Sequence, residues 1–188
     1  QNNVQGASDA GLIPMMYPDY NSVENEQIYS KMEDFWGKKL DKKKGLTVVE
    51  IINEVINDNI KGMYVMGGNP AMSDPDQNHT REGLAKLEHM VVQDIFMTET
   101  AWFADIILPA SAAAEKDGTF TNTNRQVQMG RKAITPPGEA REDWRIIIDL
   151  ANSLGMNWEY KNVSDVFKEM SMVMPSLNNI TWERLEKE

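Results

Sequence analysis

Three short apolar runs, separated by helical patterns, constrain the fold of this chain more than any other feature. The runs cover residues 62–66, 90–94 and 105–109. Apolar runs of this length are typical of buried strands. Strands that alternate with helices predict a parallel sheet with helical crossovers. The sequence therefore predicts an α/β domain with a mostly parallel sheet.

The remaining pattern predicts the elements around this sheet. Glycines and prolines indicate a loop over residues 1–20. Thr47 and Glu50 have the spacing of a capping box. The predicted helices cover residues 23–36, 48–59, 75–89, 98–103 and 143–154, and a further strand covers residues 126–133. The predicted N-caps are Ser22, Thr47, Asp74, Ser164 and Thr181.

Composition excludes several classes of function. The chain has 188 residues and a formal net charge of −10, which argues against a nucleic-acid partner because such binding depends on cations against phosphates. The absence of cysteine excludes a disulfide framework, a zinc–thiolate site and an iron–sulfur cluster held by this chain. No run reaches the ~18 apolar residues of a membrane span. We expect a fragment of a longer protein, since the chain begins inside a polar phrase without methionine.

Unusual residues follow the first two apolar runs, where ligands of open parallel sheets bind. Gly67-Gly68-Asn69 ends the first run, and glycines let a backbone approach a ligand closely. Gln93-Asp94 ends the second, and Asp94 lies 27 positions after Gly67, against about 20 between the glycine turn and the ribose-binding acid of dinucleotide folds. This spacing predicts a nucleotide site. The alternative is an ordinary glycine turn, with Asp94 as a helix cap.

A third polar cluster, residues 115–122, follows the last run. Lys116 could meet a phosphate as a point charge, whereas the alternative is a solvated approach to a hairpin. We find no nucleophile elbow and no phosphate loop of the Walker type. His79 and His89 are too far apart to pair on a metal, so no metal ligand is predicted. The residues alone indicate a dinucleotide-binding α/β domain.

Five phrases add a resemblance that covers about residues 1–150. They are QNNVQGA at 1–7, YVMGGNP at 64–70, VVQDIF at 91–96, ADIILP at 104–109 and EKDGTFTN at 115–122. Together they resemble the catalytic, or alpha, subunit of molybdenum-dependent formate dehydrogenases, in the dimethyl sulfoxide reductase family of molybdopterin oxidoreductases. The resemblance implies a three-layer αβα Rossmann-like fold. It divides the chain into a partial cofactor-binding domain, residues 1–155, and a helical extension, residues 156–188.

The resemblance also implies a cofactor and its contacts. The cofactor is bis(molybdopterin guanine dinucleotide) with molybdenum or tungsten, and Gln1 would be a catalytic residue that donates to an oxyanion near the metal. The family's metal ligand, a cysteine or selenocysteine, is absent here, and Gly68 stands where an acidic residue is frequent. The implied cofactor-binding residues are Gly67, Gly68, Asn69, Gln93, Asp94, Lys116 and Asp143.

The implied activity belongs to the parent enzyme, which would oxidise formate to carbon dioxide in the cytoplasm and pass electrons to an iron–sulfur cluster. The expected partners are the remaining segments of the same subunit and electron-transfer subunits, and the chain alone should be inactive. One alternative is another oxidoreductase of the family, such as a nitrate reductase or the large subunit of an NADH–quinone oxidoreductase. The other is a non-catalytic interaction module.

Overall fold

The computed structural model describes residues 3–187. The helices are α1 (Val4–Asp9), α2 (Glu26–Trp36), α3 (Val48–Ile56), α4 (Pro70–Ser73), α5 (Gln77–Lys86), α6 (Asp143–Ser153), α7 (Val163–Val173) and α8 (Trp182–Lys187). The strands are β1 (Met16–Tyr17), β2 (Asn21–Ser22), β3 (Gly62–Met66), β4 (His89–Asp94), β5 (Ile106–Pro109), β6 (Gly118–Thr121) and β7 (Val127–Gly130). Short 3₁₀ helices cover Pro18–Tyr20, Ala101–Phe103, Ala113–Glu115 and Pro175–Leu177.

The described chain forms two compact units, each built from separated segments. The sheet unit contains residues 46–116 and 132–158, and the hairpin unit contains the described residues up to 45 together with 117–131 and 159–187. These units reflect packing. The predicted functional division at residues 155 and 156 stays a prediction.

The sheet unit contains the three predicted strands in the order β3-β4-β5, all parallel. In the register, Val65 lies beside Val92, and Val92 lies beside Ile107. Since alternate residues of a strand share a face, Met90 and Val92 point to the same side. They pack with Ile52 of α3 and Leu84 of α5 in a buried cluster. The predicted α/β fold with a parallel sheet is confirmed.

Two helix starts in the sheet unit test the cap predictions. The capping box is confirmed, with the Thr47 N–H donating to Glu50 Oε2 at 2.7 Å. The predicted cap Asp74 is wrong, and the helix predicted at residues 75–89 is the shorter α5, Gln77–Lys86. Pro70, a favoured residue for a first helical turn, already starts α4, and Asp74 is extended. Asp76 then caps α5 by accepting from the His79 N–H at 3.2 Å.

The hairpin unit is built around the antiparallel pair β6–β7. Its buried cluster joins residues from four helical elements and from the segment after α7: Met32, Phe167, Val173, Met174, Leu177 and Leu185. The predicted loop over residues 1–20 is wrong in part, because residues 4–9 form α1. A contact distant in sequence anchors this segment. Asn3 accepts from the Thr121 N–H at 2.8 Å and donates to the Thr119 carbonyl.

Three predicted helix caps of the hairpin unit have different outcomes. Ser22 is not the cap of α2. It lies in β2, and Asn25 accepts from the N–H groups at the start of the helix. Ser164 is not the cap of α7, since Asn162 fills that position. Thr181 does accept from the Arg184 N–H at the start of α8, at 3.2 Å.

Two other predicted elements are shorter in the structure. The helix predicted at residues 98–103 is only the 3₁₀ helix Ala101–Phe103, and the strand predicted at 126–133 is β7. Among residues 3–187, no helix is both long enough and apolar enough to span a membrane.

Candidate functional site

The carboxyl ends of β3, β4 and β5 form one rim of the parallel sheet, which we call the carboxyl rim. Gly67 follows β3 directly, and its N–H donates to the Gln93 carbonyl at 2.9 Å. Gly67 has φ +61°, and a Cβ there would meet no atom within 4 Å. Glycine is therefore favoured by this conformation, and it leaves open space at the rim. A Cβ on Gly68 would touch Val65 at an ordinary 3.7 Å.

Asn69 ties two loops of the rim together in a group that we call the loop clamp: Asn69, Glu99 and Thr100. Asn69 Oδ1 accepts from the Thr100 N–H at 3.1 Å and from its hydroxyl at 2.8 Å. Asn69 Nδ2 donates to Glu99 Oε2 at 2.7 Å. The Asn69 amide lowers the pKa of Glu99, because the N–H stabilises the carboxylate. The Asn69 side chain thus orders the rim.

Asp94 ends β4 and stabilises the turn that follows. Its Oδ1 accepts from the Ile95 N–H at 2.7 Å and from the Phe96 N–H at 3.3 Å. The next regular element is the 3₁₀ helix Ala101–Phe103, so Asp94 does not cap a directly following helix. The alternative of a helix cap is therefore wrong: the Asp94 side chain accepts within a turn, and the residue is half-buried at the rim.

Four side chains from separate segments form a second group, the carboxylate network: Tyr64, Gln93, Lys116 and Asp143. Gln93 has no exposed surface, and its Nε2 donates to Asp143 Oδ1 at 2.7 Å. The Lys116 ammonium donates to Asp143 Oδ2 and, at 3.0 Å, to the Ser111 carbonyl. The Tyr64 hydroxyl donates to Gln93 Oε1. The structure therefore brings together three of the predicted residues, Gln93, Lys116 and Asp143.

Two electrostatic features accompany the carboxylate of this network. Asp143 is the first residue of α6, where the helix dipole favours an anion. Burial, and next the charge of Asp143, raise the pKa of Tyr64, so its hydroxyl stays a donor at neutral pH. The network thus combines an anion, a cation and two neutral donors.

Sequence reasoning missed Tyr64. The signal that could have found it is strand alternation: Tyr64 lies beside Val91 in the register, and Met66 lies beside Gln93. Tyr64 and Gln93 therefore share the face opposite to the buried cluster.

The predicted catalytic residue, Gln1, lies outside the described residues. Within the part of the chain that the structure describes, no three histidine or acidic side chains gather to hold a metal ion.

The described rim suits a nucleotide-type group. An open glycine backbone lets a diphosphate approach, a carboxylate can accept from a base or ribose, and an ammonium offsets phosphate charge. The parallel sheet with its helical crossovers defines an α/β protein, a class in which ligands bind outside the carboxyl ends of the strands.

Comparison with known families identifies the chain further. The model of the molybdopterin oxidoreductase family matches residues 2–153. The chain therefore belongs to the molybdopterin oxidoreductase family, and the predicted resemblance is confirmed.

Curated relatives agree with this assignment. The chain is 50% identical to the F420-dependent formate dehydrogenase subunit alpha of Methanocaldococcus jannaschii over 99% of its length and 28% of the relative's. It is 41% identical to the putative formate dehydrogenase YrhE of Bacillus subtilis over 98% of its length and 19% of the relative's. The chain thus spans less than a third of either relative.

A solved structure supports the fold alone. Acetylene hydratase from Pelobacter acetylenicus superposes with a TM-score of 0.60 over 86% of this chain and 23% of that protein, at 21% sequence identity.

Proposed function

We propose that this chain is part of the catalytic subunit of a molybdopterin-dependent formate dehydrogenase, and that its carboxyl rim supplies part of the pocket for molybdopterin guanine dinucleotide. The convergence of Gln93, Lys116 and Asp143 at the rim is the observation that carries the proposal. The names of the formate dehydrogenase relatives support the substrate. In the proposed reaction, formate loses a proton and two electrons to become carbon dioxide.

The bound cofactor, with molybdenum or tungsten, would supply the acceptor for the two electrons. The chain's own residues would bind and orient its nucleotide tail. Gly67 and Gly68 let the backbone approach a diphosphate, while Lys116 offsets its negative charge. Asp94 and Asp143 accept hydrogen bonds from a ribose or a guanine edge.

Asn69 and Gln93 have their side-chain oxygens bonded within the protein. Their proposed contribution is to hold the loops and the carboxylate in place, with any direct contact limited to the remaining donors. Gln1 is proposed, from the resemblance alone, to donate to an oxyanion during the reaction.

The proposed enzyme needs partners beyond this chain. The other segments of the same subunit would complete the pocket and hold the iron–sulfur cluster, since this chain has no cysteine. The relatives named as alpha subunits support electron-transfer subunits as further partners.

The test is to measure cofactor content in the full-length protein after expression in a host that makes the cofactor. Asp94→Asn and Lys116→Met should each lower the guanosine monophosphate released by acid hydrolysis, and the metal content, by about tenfold, because each removes a charge-assisted contact of ~1.5–3 kcal/mol. Formate-dependent dye reduction by the wild-type protein tests the substrate.

Asp58→Asn is the matched control. Asp58 precedes β3, at the opposite end of the strand from the rim, and its positive φ of 61° suits asparagine. Its cofactor content should equal that of the wild-type protein. Unchanged content in both rim variants would refute the proposed pocket, and wild-type protein without guanosine monophosphate would refute the guanine dinucleotide.

A further inference from the structure

Tyr64 begins a continuous chain of hydrogen bonds that ends at the charged pair of the rim. Its hydroxyl donates to Gln93 Oε1, Gln93 Nε2 donates to Asp143 Oδ1, and Lys116 donates to Asp143 Oδ2. The first two links join residues 29 and 50 positions apart. The cofactor-binding residues predicted from the sequence include the last three members of this chain but not Tyr64.

We propose that Tyr64 is a positioning residue that fixes the orientation of the Gln93 amide and, through it, the carboxylate of Asp143 at the carboxyl rim. This inference rests on the proposed function of the rim as a nucleotide pocket. Tyr64 itself has no contact with the cofactor in this proposal.

The argument begins with the amide of Gln93. An amide side chain has an acceptor end and a donor end of nearly the same shape, and only its hydrogen-bond partners decide which end points where. The Tyr64 hydroxyl faces Oε1, and this orientation leaves the donor Nε2 towards Asp143. If the amide turned over, its oxygen would face the Asp143 carboxylate, and two acceptors would repel each other.

Burial makes the partner of Gln93 important. Gln93 is fully buried, so with the Tyr64 hydroxyl in place its amide bonds to protein groups. A buried acceptor left without a donor is unfavourable. Removing the Tyr64 hydroxyl therefore leaves Gln93 Oε1 without its donor and loosens the amide that holds Asp143.

The two links on Asp143 fix the plane of its carboxylate. Oδ1 accepts from Gln93 and Oδ2 accepts from Lys116, so each oxygen has one protein donor. The remaining lone pairs then point in a defined direction, which is what recognition of a base or a ribose requires. With Gln93 displaced, the flexible lysine is the one partner that Asp143 keeps among residues 3–187.

A double-mutant cycle between Tyr64→Phe and Asp143→Asn tests this proposal in the full-length protein, expressed without the cofactor. The probe is guanosine diphosphate, and its affinity is measured by calorimetry. Tyr64→Phe should weaken binding about threefold to tenfold, the range for loss of one hydrogen bond of ~0.5–1.5 kcal/mol. In the Asp143→Asn background the same change should have no further effect, since the carboxylate that Tyr64 positions is absent.

The outcomes separate the two proposals. Asp143→Asn without effect on guanosine diphosphate affinity overturns both the pocket and the role of Tyr64. A loss with Asp143→Asn but none with Tyr64→Phe overturns only the role of Tyr64. Additive losses also overturn it, because Tyr64 would then act through another group.

Two further variants guard against an effect on folding. Tyr160→Phe removes a hydroxyl that donates to Glu169 in the hairpin unit, and it should leave affinity unchanged. Gln93→Met removes the amide at similar volume. It should weaken binding, and adding Tyr64→Phe to it should change nothing. Urea denaturation of every variant confirms that each protein used for calorimetry is folded.

Discussion

Polar groups chosen from the two compact units show two different uses of a side chain. In the sheet unit, side chains bond to one another across long sequence separations at one rim, as in the pairs Gln93–Asp143 and Asn69–Thr100. In the hairpin unit, Asn3 bonds to the backbone of β6, and Tyr29 bonds to Glu33 one turn later in α2. The first arrangement holds charged groups in a fixed position, whereas the second holds chain segments together.

This difference distinguishes a ligand-binding site from contacts that only stabilise the fold. A carboxylate held by two donors still has free lone pairs for a ligand. We therefore expect polar substitutions in the carboxylate network to change ligand binding, and substitutions in the hairpin unit to change stability alone. The loop clamp is the part of the rim that should behave as a scaffold.

Thr100→Val should have the largest effect on stability. The Thr100 hydroxyl accepts from the Ala71 N–H at 3.0 Å and donates to Asn69, and both Ala71 and Thr100 are fully buried. Valine keeps the volume but leaves the Ala71 N–H without its acceptor and removes one of the two Thr100 donors to Asn69 Oδ1, so the free energy of unfolding should fall by about 2 kcal/mol. Urea denaturation measures this.

The control for the clamp is Thr123→Val, at an exposed position of the hairpin unit, which should change stability by less than ~0.5 kcal/mol. Equal stability of Thr100→Val and the wild-type protein would show that the clamp does not order the rim.

Gly130→Ala should have the next largest effect, in the hairpin unit. A Cβ on Gly130 would overlap the Phe120 ring, whereas a Cβ on its cross-strand partner Gly118 would meet nothing within 4 Å. Overpacking should lower stability by about 1–2 kcal/mol, while Gly118→Ala should be neutral or raise it by ~0.5 kcal/mol. Thermal and urea unfolding compare the pair. The same sign for both variants would contradict packing as the basis of this unit.

Glu33→Gln should have the smallest effect, and one that depends on pH. Hydrogen bonds from the Tyr29 hydroxyl and then from the Leu40 N–H lower the pKa of Glu33 below its ordinary 4.5. A lowered pKa in the folded state stabilises the protein above the ordinary value, and this contribution is lost as the pH falls through the lowered pKa.

The stability difference between Glu33→Gln and the wild-type protein should thus be constant near neutral pH and shrink below about pH 4.5. Urea denaturation at a series of pH values measures it. Asp34→Asn, on the exposed face of the same helix, is the control at neutral pH. A difference that persists at the lowest pH would contradict the role of the Glu33 carboxylate.

The comparison also explains which predictions succeeded. The strands of the sheet and the Thr47–Glu50 capping box depend on residues close in sequence, and both were predicted correctly. The predictions for Ser22 and Asp74 failed because several polar residues in each segment could cap a helix. Asn25 caps α2 instead of Ser22, and Asp76 caps α5 after Pro70 has started α4. The backbone conformations that select these residues are not specified by composition.

The sequence by itself determined the parallel α/β sheet, the polar residues at its strand ends and the family, since apolar periodicity and contiguous phrases are local properties. Only the tertiary structure decided that α1 is anchored by Asn3, that the chain packs as two discontinuous units, and that Tyr64 bonds to Gln93 and Gln93 to Asp143. Partners 29, 50 or 116 positions apart meet only when the whole chain is folded, because their distance is set by the path of the elements between them.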